Sequence, residues 1–160
     1  MTSQIDCEFE LDAHSLNYAF KYFELHAAQR MTVFNFFLLL SGALSGGIGA
    51  SLMGDNVFPL SALFLSALLI LLSLVFYKLD RRTSFLIKHA ELALSKSESR
   101  VLATECRLVG NERGAFDRWQ NAQSRVARAW SYSYCFKVVF LGSTVVGIVG
   151  LFYSIYLLWE

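Results

Sequence analysis

Histidines, cysteines and carboxylates are the groups through which a small chain would do covalent or metal chemistry, and in this sequence they are scattered. His14, His26 and His89 fall on separate predicted helices or helix ends, where single histidines serve as surface or packing residues. Cys7, Cys106 and Cys135 share no CxxC or Cys/His spacing, so neither a disulfide framework nor a zinc site is expected. No Gly-rich phosphate loop, GxSxG turn or paired intramembrane carboxylate is present. The sequence therefore predicts a non-enzyme that needs no metal or cofactor.

The residues that remain informative are small or polar and sit inside apolar runs. Gly42, Gly46 and Ala50 recur at four-residue spacing, and Ser143 and Gly147 do the same with Gly150 close behind. Such faces let helix backbones approach closely, either within one protomer or between protomers. Asn35, Ser61, Ser66, Ser73 and Thr144 also interrupt the apolar runs. Polar groups in hydrocarbon are costly unless paired, so these five should face other helices or water, and an oligomer can gather them around a polar lumen. No charged residue lies within the runs to serve a proton relay or hold a coupling ion, which argues against a secondary transporter.

The runs themselves dictate the element that positions these residues. The chain is 55% hydrophobic and 17% charged, with a mean hydropathy of +0.44, an apolar excess that a soluble domain of this length cannot hide. Residues 31–53 give 23 positions without a charge, enough for a helix to cross a hydrocarbon layer of about 30 Å. A GDNVFP turn follows, with Pro59 placed to start a second span that continues to Tyr77. Residues 138–159 form a third uncharged run, with Tyr153, Tyr156 and Trp159 as interfacial anchors. An acidic amino terminus without a basic leader region predicts no cleaved signal peptide.

Charge fixes the expected orientation. Of the basic residues, two precede the first span, none lies in the turn and twelve fall between Lys78 and Lys137. The positive-inside bias predicts a cytoplasmic amino terminus and middle segment, leaving the carboxyl terminus outside. The stretch before Met31 is acidic and the middle segment basic. Asp6, Glu8, Glu10 and Asp12 could thus dock on the basic segment as a gate or, repeated in an oligomer, form acidic rings at a cytoplasmic mouth. Arg107, Arg113, Arg118, Arg125 and Arg128 are the candidate contacts for an activating anion or partner. Plain topology and attraction to lipid headgroups would explain the same bias.

Outside the spans, Ile5, Cys7, Phe9 and Leu11 alternate with acids and predict a short strand. Leu16, Phe20, Phe23 and Ala27 give a helical stripe leading into the first span. Phe85, Leu86, His89, Leu92 and Ala93 extend the second helix beyond the membrane. SKSES at 95–99 should weaken that helix, and Gly110 and Gly114 should mark a reversal before a second helix carrying Phe116, Trp119, Val126 and Trp130. The expected class is an all-α membrane protein with three transmembrane helices, a short strand-like arm and a cytoplasmic helical hairpin. Its regions are an arm with an amphipathic helix (1–30), a two-span hairpin (31–79), a basic helical hairpin (80–137) and a third span (138–160).

The segments SLNYAFKYFELHAAQRMTVFNFFLLLSGAL and FYKLDRRTSFLIKHAELAL resemble small bacterial membrane effectors of SLATT type, in which a helix enters a two-span hairpin and another leaves it. The third span departs from the simplest such pattern. The chain is also similar to the membrane component of Hailong anti-phage defence. That resemblance implies an oligomeric channel in the bacterial inner membrane, controlled by a cytosolic nucleotidyltransferase or its product, which opens on phage sensing and stops the host by abortive infection. No motif of the family fixes a functional residue here. The leading expectation is a homo-oligomeric pore-forming effector gated by its cytoplasmic region. The alternative is a non-conducting membrane scaffold or sensor that recruits a cytosolic partner. The expected partners are the lipid bilayer, further copies of the chain and that regulator; no reader of duplex nucleic acid is expected.

Overall fold

The computed structural model describes residues 2–53, 57–103, 106–122 and 132–160, with side chains described from residue 13 onward except at 113, 117 and 120. Four helices make up this part of the chain: α1 (Thr2–Met53), α2 (Pro59–Val101), α3 (Leu108–Asn121) and α4 (Tyr132–Trp159). Three of them are long and apolar enough to cross a membrane, over Ala13–Met53, Pro59–Val101 and Tyr132–Trp159. No strand occurs among the described residues. The expected strand over 5–11 is instead the first turns of α1. A lone strand leaves its backbone groups unpaired. With no glycine or proline between Thr2 and Arg30, extending an existing helix satisfies those groups without a new nucleation cost. A helical backbone also no longer sets positions 6, 8, 10 and 12 in one row, as alternation in a strand would.

Two compact units divide the chain. One consists of Met1–Gln29 and Thr83–Trp130, the other of Arg30–Arg82 and Ser131–Glu160. In the second unit, α2 begins on Pro59, whose missing N–H costs nothing in a first helical turn. The Phe58 amide donates to the Ser51 carbonyl at 3.0 Å and closes the hairpin from the α1 side. The GDN part of the expected turn lies outside the described residues.

The core of this unit is aromatic. Phe37, Phe136 and Phe140 are buried, with Phe34, Phe76 and Tyr77 packed around them. Phe34 stacks on Phe136 with ring centroids 3.8 Å apart, while Phe37 meets Phe140 edge-on at 4.7 Å. α1, α2 and α4 thus all contribute rings, and such pairs add about 0.5–1.5 kcal/mol each beyond their buried area.

In the first unit, the reversal lies earlier than expected. α2 continues through the whole SKSES stretch to Val101, and Gly110 and Gly114 both lie within α3. α2 ends at Val101 and α3 begins at Leu108, and side chains satisfy both helix ends. α3 runs to Asn121, and Val126 and Trp130 lie outside the described residues.

Candidate functional site

Arg30, at the head of the first apolar run, gathers polar groups from three helices. Its Nε donates to Asp80 Oδ1 at 2.7 Å and its Nη2 to Asp80 Oδ2 at 3.2 Å. The same Nη2 donates to Ser133 Oγ at 3.1 Å. The guanidinium carbon stands 4.8 Å from the centroid of the Phe136 ring. Only 12% of the Arg30 side chain and 7% of the Asp80 side chain are exposed. The flat guanidinium matches a carboxylate through two parallel hydrogen bonds, which a lysine cannot do. Burial makes the pair sensitive to losing either member, because the survivor would be a desolvated charge. The cluster pins α1, α2 and α4 at one level.

Further along, α4 lies against α2 through glycines. A Cβ at Gly147 would stand 2.7 Å from Ile70 Cγ1 and 3.2 Å from the Ser66 carbonyl. One at Gly150 would stand 2.6 Å from Ser66 Oγ and 3.0 Å from Ile48 Cγ2. Gly147 and Gly150 therefore pack within the chain, with Ser143 half-buried on the same side. The stripe on α1 is different. Gly42, Gly46 and Ala50 are exposed, and a Cβ at Gly42 or Gly46 would meet nothing within 4 Å. Asn35 is exposed too, and its spacing of seven and eleven residues from Gly42 and Gly46 puts all three on one helix face.

The remaining lumen candidates divide by burial. Ser66 and Ser73 are buried within the protomer. Ser73 donates to the Leu69 carbonyl at 2.8 Å and Thr144 to the Phe140 carbonyl at 2.8 Å, the helix back-bond that lets hydroxyls live in an apolar layer. The Ser66 hydroxyl is buried without a partner among the described residues. Ser61 is exposed, donates to the Phe58 carbonyl at 2.8 Å and lies 3.2 Å from Ser51 Oγ.

In the first unit the buried Glu98 carboxylate accepts from the Val109 amide at 3.1 Å and the Gly110 amide at 3.2 Å, capping the amino terminus of α3. Arg107 does the complementary task for α2, donating from Nε to the Leu102 carbonyl and from Nη2 to the Ser99 carbonyl, both at 3.1 Å. Arg118 is exposed and donates to the Gly114 carbonyl at 2.9 Å. The side chain of Arg113 and the whole of Arg125 and Arg128 lie outside what is described, as do the side chains of Asp6, Glu8, Glu10 and Asp12. A cavity of about 420 Å³ opens between Phe23, Glu91, Ser95, Gly110, Glu112 and Phe116. Its two carboxylates do not suit an anion, and none of the arginines expected to meet one lines it among the described residues.

Sequence reasoning missed Arg30, Asp80, Ser133 and Glu98. The signal for Asp80 was its isolation as one acid among Lys78, Arg81 and Arg82 at the end of an apolar run. Arg30 stands at the matching depth on the neighbouring helix.

Fold and contacts together define a helical protein whose three long apolar helices could span a membrane and are pinned by a buried ion pair, with a separate helical unit. No family model matches the sequence, and no solved structure matches it. The chain is 35% identical over 135 residues to CD-NTase-associated protein 19 of Escherichia coli, a match covering 84% of this chain and 85% of that protein. The chain belongs to the family of that protein.

Proposed function

We propose that the chain is a homo-oligomeric, pore-forming membrane effector of CD-NTase-associated (CBASS) anti-phage defence, acting without catalysis of its own. The relative's name links the family to a CD-NTase, a nucleotidyltransferase. The observation that carries the pore reading is the exposed face of α1 with Asn35, Gly42 and Gly46. Glycines with no neighbour offer close approach to a second copy, and an exposed amide in a span calls for water or a hydrogen-bonding partner. A ring of copies meeting along this face meets both needs. In this reading the helices cross the bacterial inner membrane with the amino terminus and the basic segment cytoplasmic, following the charge bias. The unit containing α3 receives the signal, either the CD-NTase or its product. Because α1 and α2 contribute to both units, a rearrangement there reaches the spans. Opening would dissipate the membrane potential, as a SLATT-like effector is expected to do.

Flux through liposomes carrying the purified chain tests the reading. Dye or ion release should appear on adding the cognate CD-NTase with its nucleotide substrates. Release should be lost when Gly46 becomes Leu. Intact, oriented insertion without any release under activating conditions would instead support a scaffold that recruits a cytosolic partner.

A further inference from the structure

We infer that the groove between α2 and α4 beside Lys137 binds one anionic phospholipid. A cavity of about 330 Å³ lies there, lined by Ser73, Leu74, Tyr77, Lys137, Phe140 and Thr144. Ser73 and Thr144 spend their hydroxyl protons on carbonyls of their own helices. The depth of the groove is therefore dominated by hydrocarbon and ring surface, suited to an acyl chain rather than a polar solute.

The charge sits at one end. Lys137 is exposed at the rim, and exposed Lys78, Arg81 and Arg82 follow Tyr77 on α2 within five residues. A second depression shares Leu74 and is lined by Val75, Lys78, Leu79 and Arg82. Two mainly apolar depressions that share Leu74 and each include at least one basic residue fit two acyl chains joined at a phosphate. Lys78, Arg82 and Lys137 have no carboxylate partner among the described residues, since the acid of that neighbourhood, Asp80, is held by Arg30. A net-negative headgroup is what this surplus selects, as basic pockets between spans do on the side facing anionic lipid. The inference rests on the proposed membrane insertion of these helices and is independent of conduction.

Native mass spectrometry of the full chain, delipidated in mild detergent, reads the site directly. With phosphatidylglycerol present, one lipid per chain should be retained, and with phosphatidylcholine none. Millimolar glycerol phosphate should fail to displace the lipid; full displacement would mark a simple phosphate site and overturn the lipid assignment. Lys137→Gln should weaken retention about fivefold, while Lys96→Gln, on an exposed position elsewhere on α2, should not. Leu141→Trp, which fills the groove from its wall, should weaken it without removing a charge. Equal retention of both lipids, or equal behaviour of Lys137→Gln and Lys96→Gln, would overturn the proposal. A chain that retains phosphatidylglycerol but passes no ions keeps this inference and loses the pore; a chain that conducts without lipid preference does the reverse.

Discussion

Arg30 and Asp80 lie fifty residues apart and meet through two hydrogen bonds, at 2.7 and 3.2 Å, in a largely buried setting. The ring of Phe136 covers the guanidinium and Ser133 takes one more of its protons. Asp80→Ala should lower the unfolding free energy in mild detergent by about 3 kcal/mol, the usual cost of leaving one member of a buried pair uncompensated. Arg30→Ala with Asp80→Ala should cost less than the sum of the single changes, because each single variant bears the penalty of a stranded charge. An unchanged midpoint for Asp80→Ala would place the pair with ordinary surface bridges.

Two sets of small residues make opposite predictions. At Gly150 a Cβ would meet Ser66 Oγ at 2.6 Å and Ile48 at 3.0 Å, so Gly150→Leu overpacks the protomer and should destabilise it by about 1–3 kcal/mol or more. At Gly46 there is open space, so Gly46→Leu should leave the thermal midpoint of the monomer within error. In the oligomeric reading it should abolish assembly, seen by cross-linking or by mass in detergent. Normal assembly of Gly46→Leu would remove this face from the interface.

Four-residue spacing alone does not tell Gly147 of α4, which meets α2, from Gly42 and Gly46 of α1, which meet nothing within the chain. Spacing marks where backbones can approach, and both stripes share it, but only the fold decides which stripe meets a neighbour within the chain. The three long apolar helices were legible because uncharged length is a one-dimensional property. Arg30 and Asp80 were not, although nearly equal numbers of residues separate them from the ends of α1 and α2 at the turn, so an antiparallel hairpin brings them level. The strand-like arm misled because alternation over a few residues is weak against a long adjoining helix. Glycine spacing does not place the reversal because capping outweighs it: Glu98 and Arg107 satisfy the helix ends at Leu108 and Val101, leaving Gly110 and Gly114 inside α3.

Glu98 offers a local test of that account. Its carboxylate accepts from the Val109 and Gly110 amides, so Glu98→Ala should release about 1 kcal/mol of capping energy. Exchange of those two amides should then quicken by about fivefold, with amides of α4 unaffected. Glu98→Gln keeps an acceptor and should fall between. If Val109 and Gly110 exchange at the native rate in Glu98→Ala, another group ends α3.

The acidic arm is the last element whose role can be separated from its fold. Residues 2–12 form the first turns of α1, and removing them leaves Ala13–Met53, still long and apolar enough to cross a membrane. Insertion should therefore survive deletion of residues 1–12, as judged by carbonate-resistant membrane association. If Asp6, Glu8, Glu10 and Asp12 hold the assembly closed, the truncated chain should be toxic on expression and should leak dye from liposomes without the activating CD-NTase. Neutralising the four acids to Asn and Gln should reproduce that phenotype with the helix length kept, which separates a charge effect from loss of helical turns. If both variants insert but match the intact chain in toxicity and leakage, the arm is not a gate, and topology with attraction to lipid headgroups accounts for the charge bias between arm and basic segment.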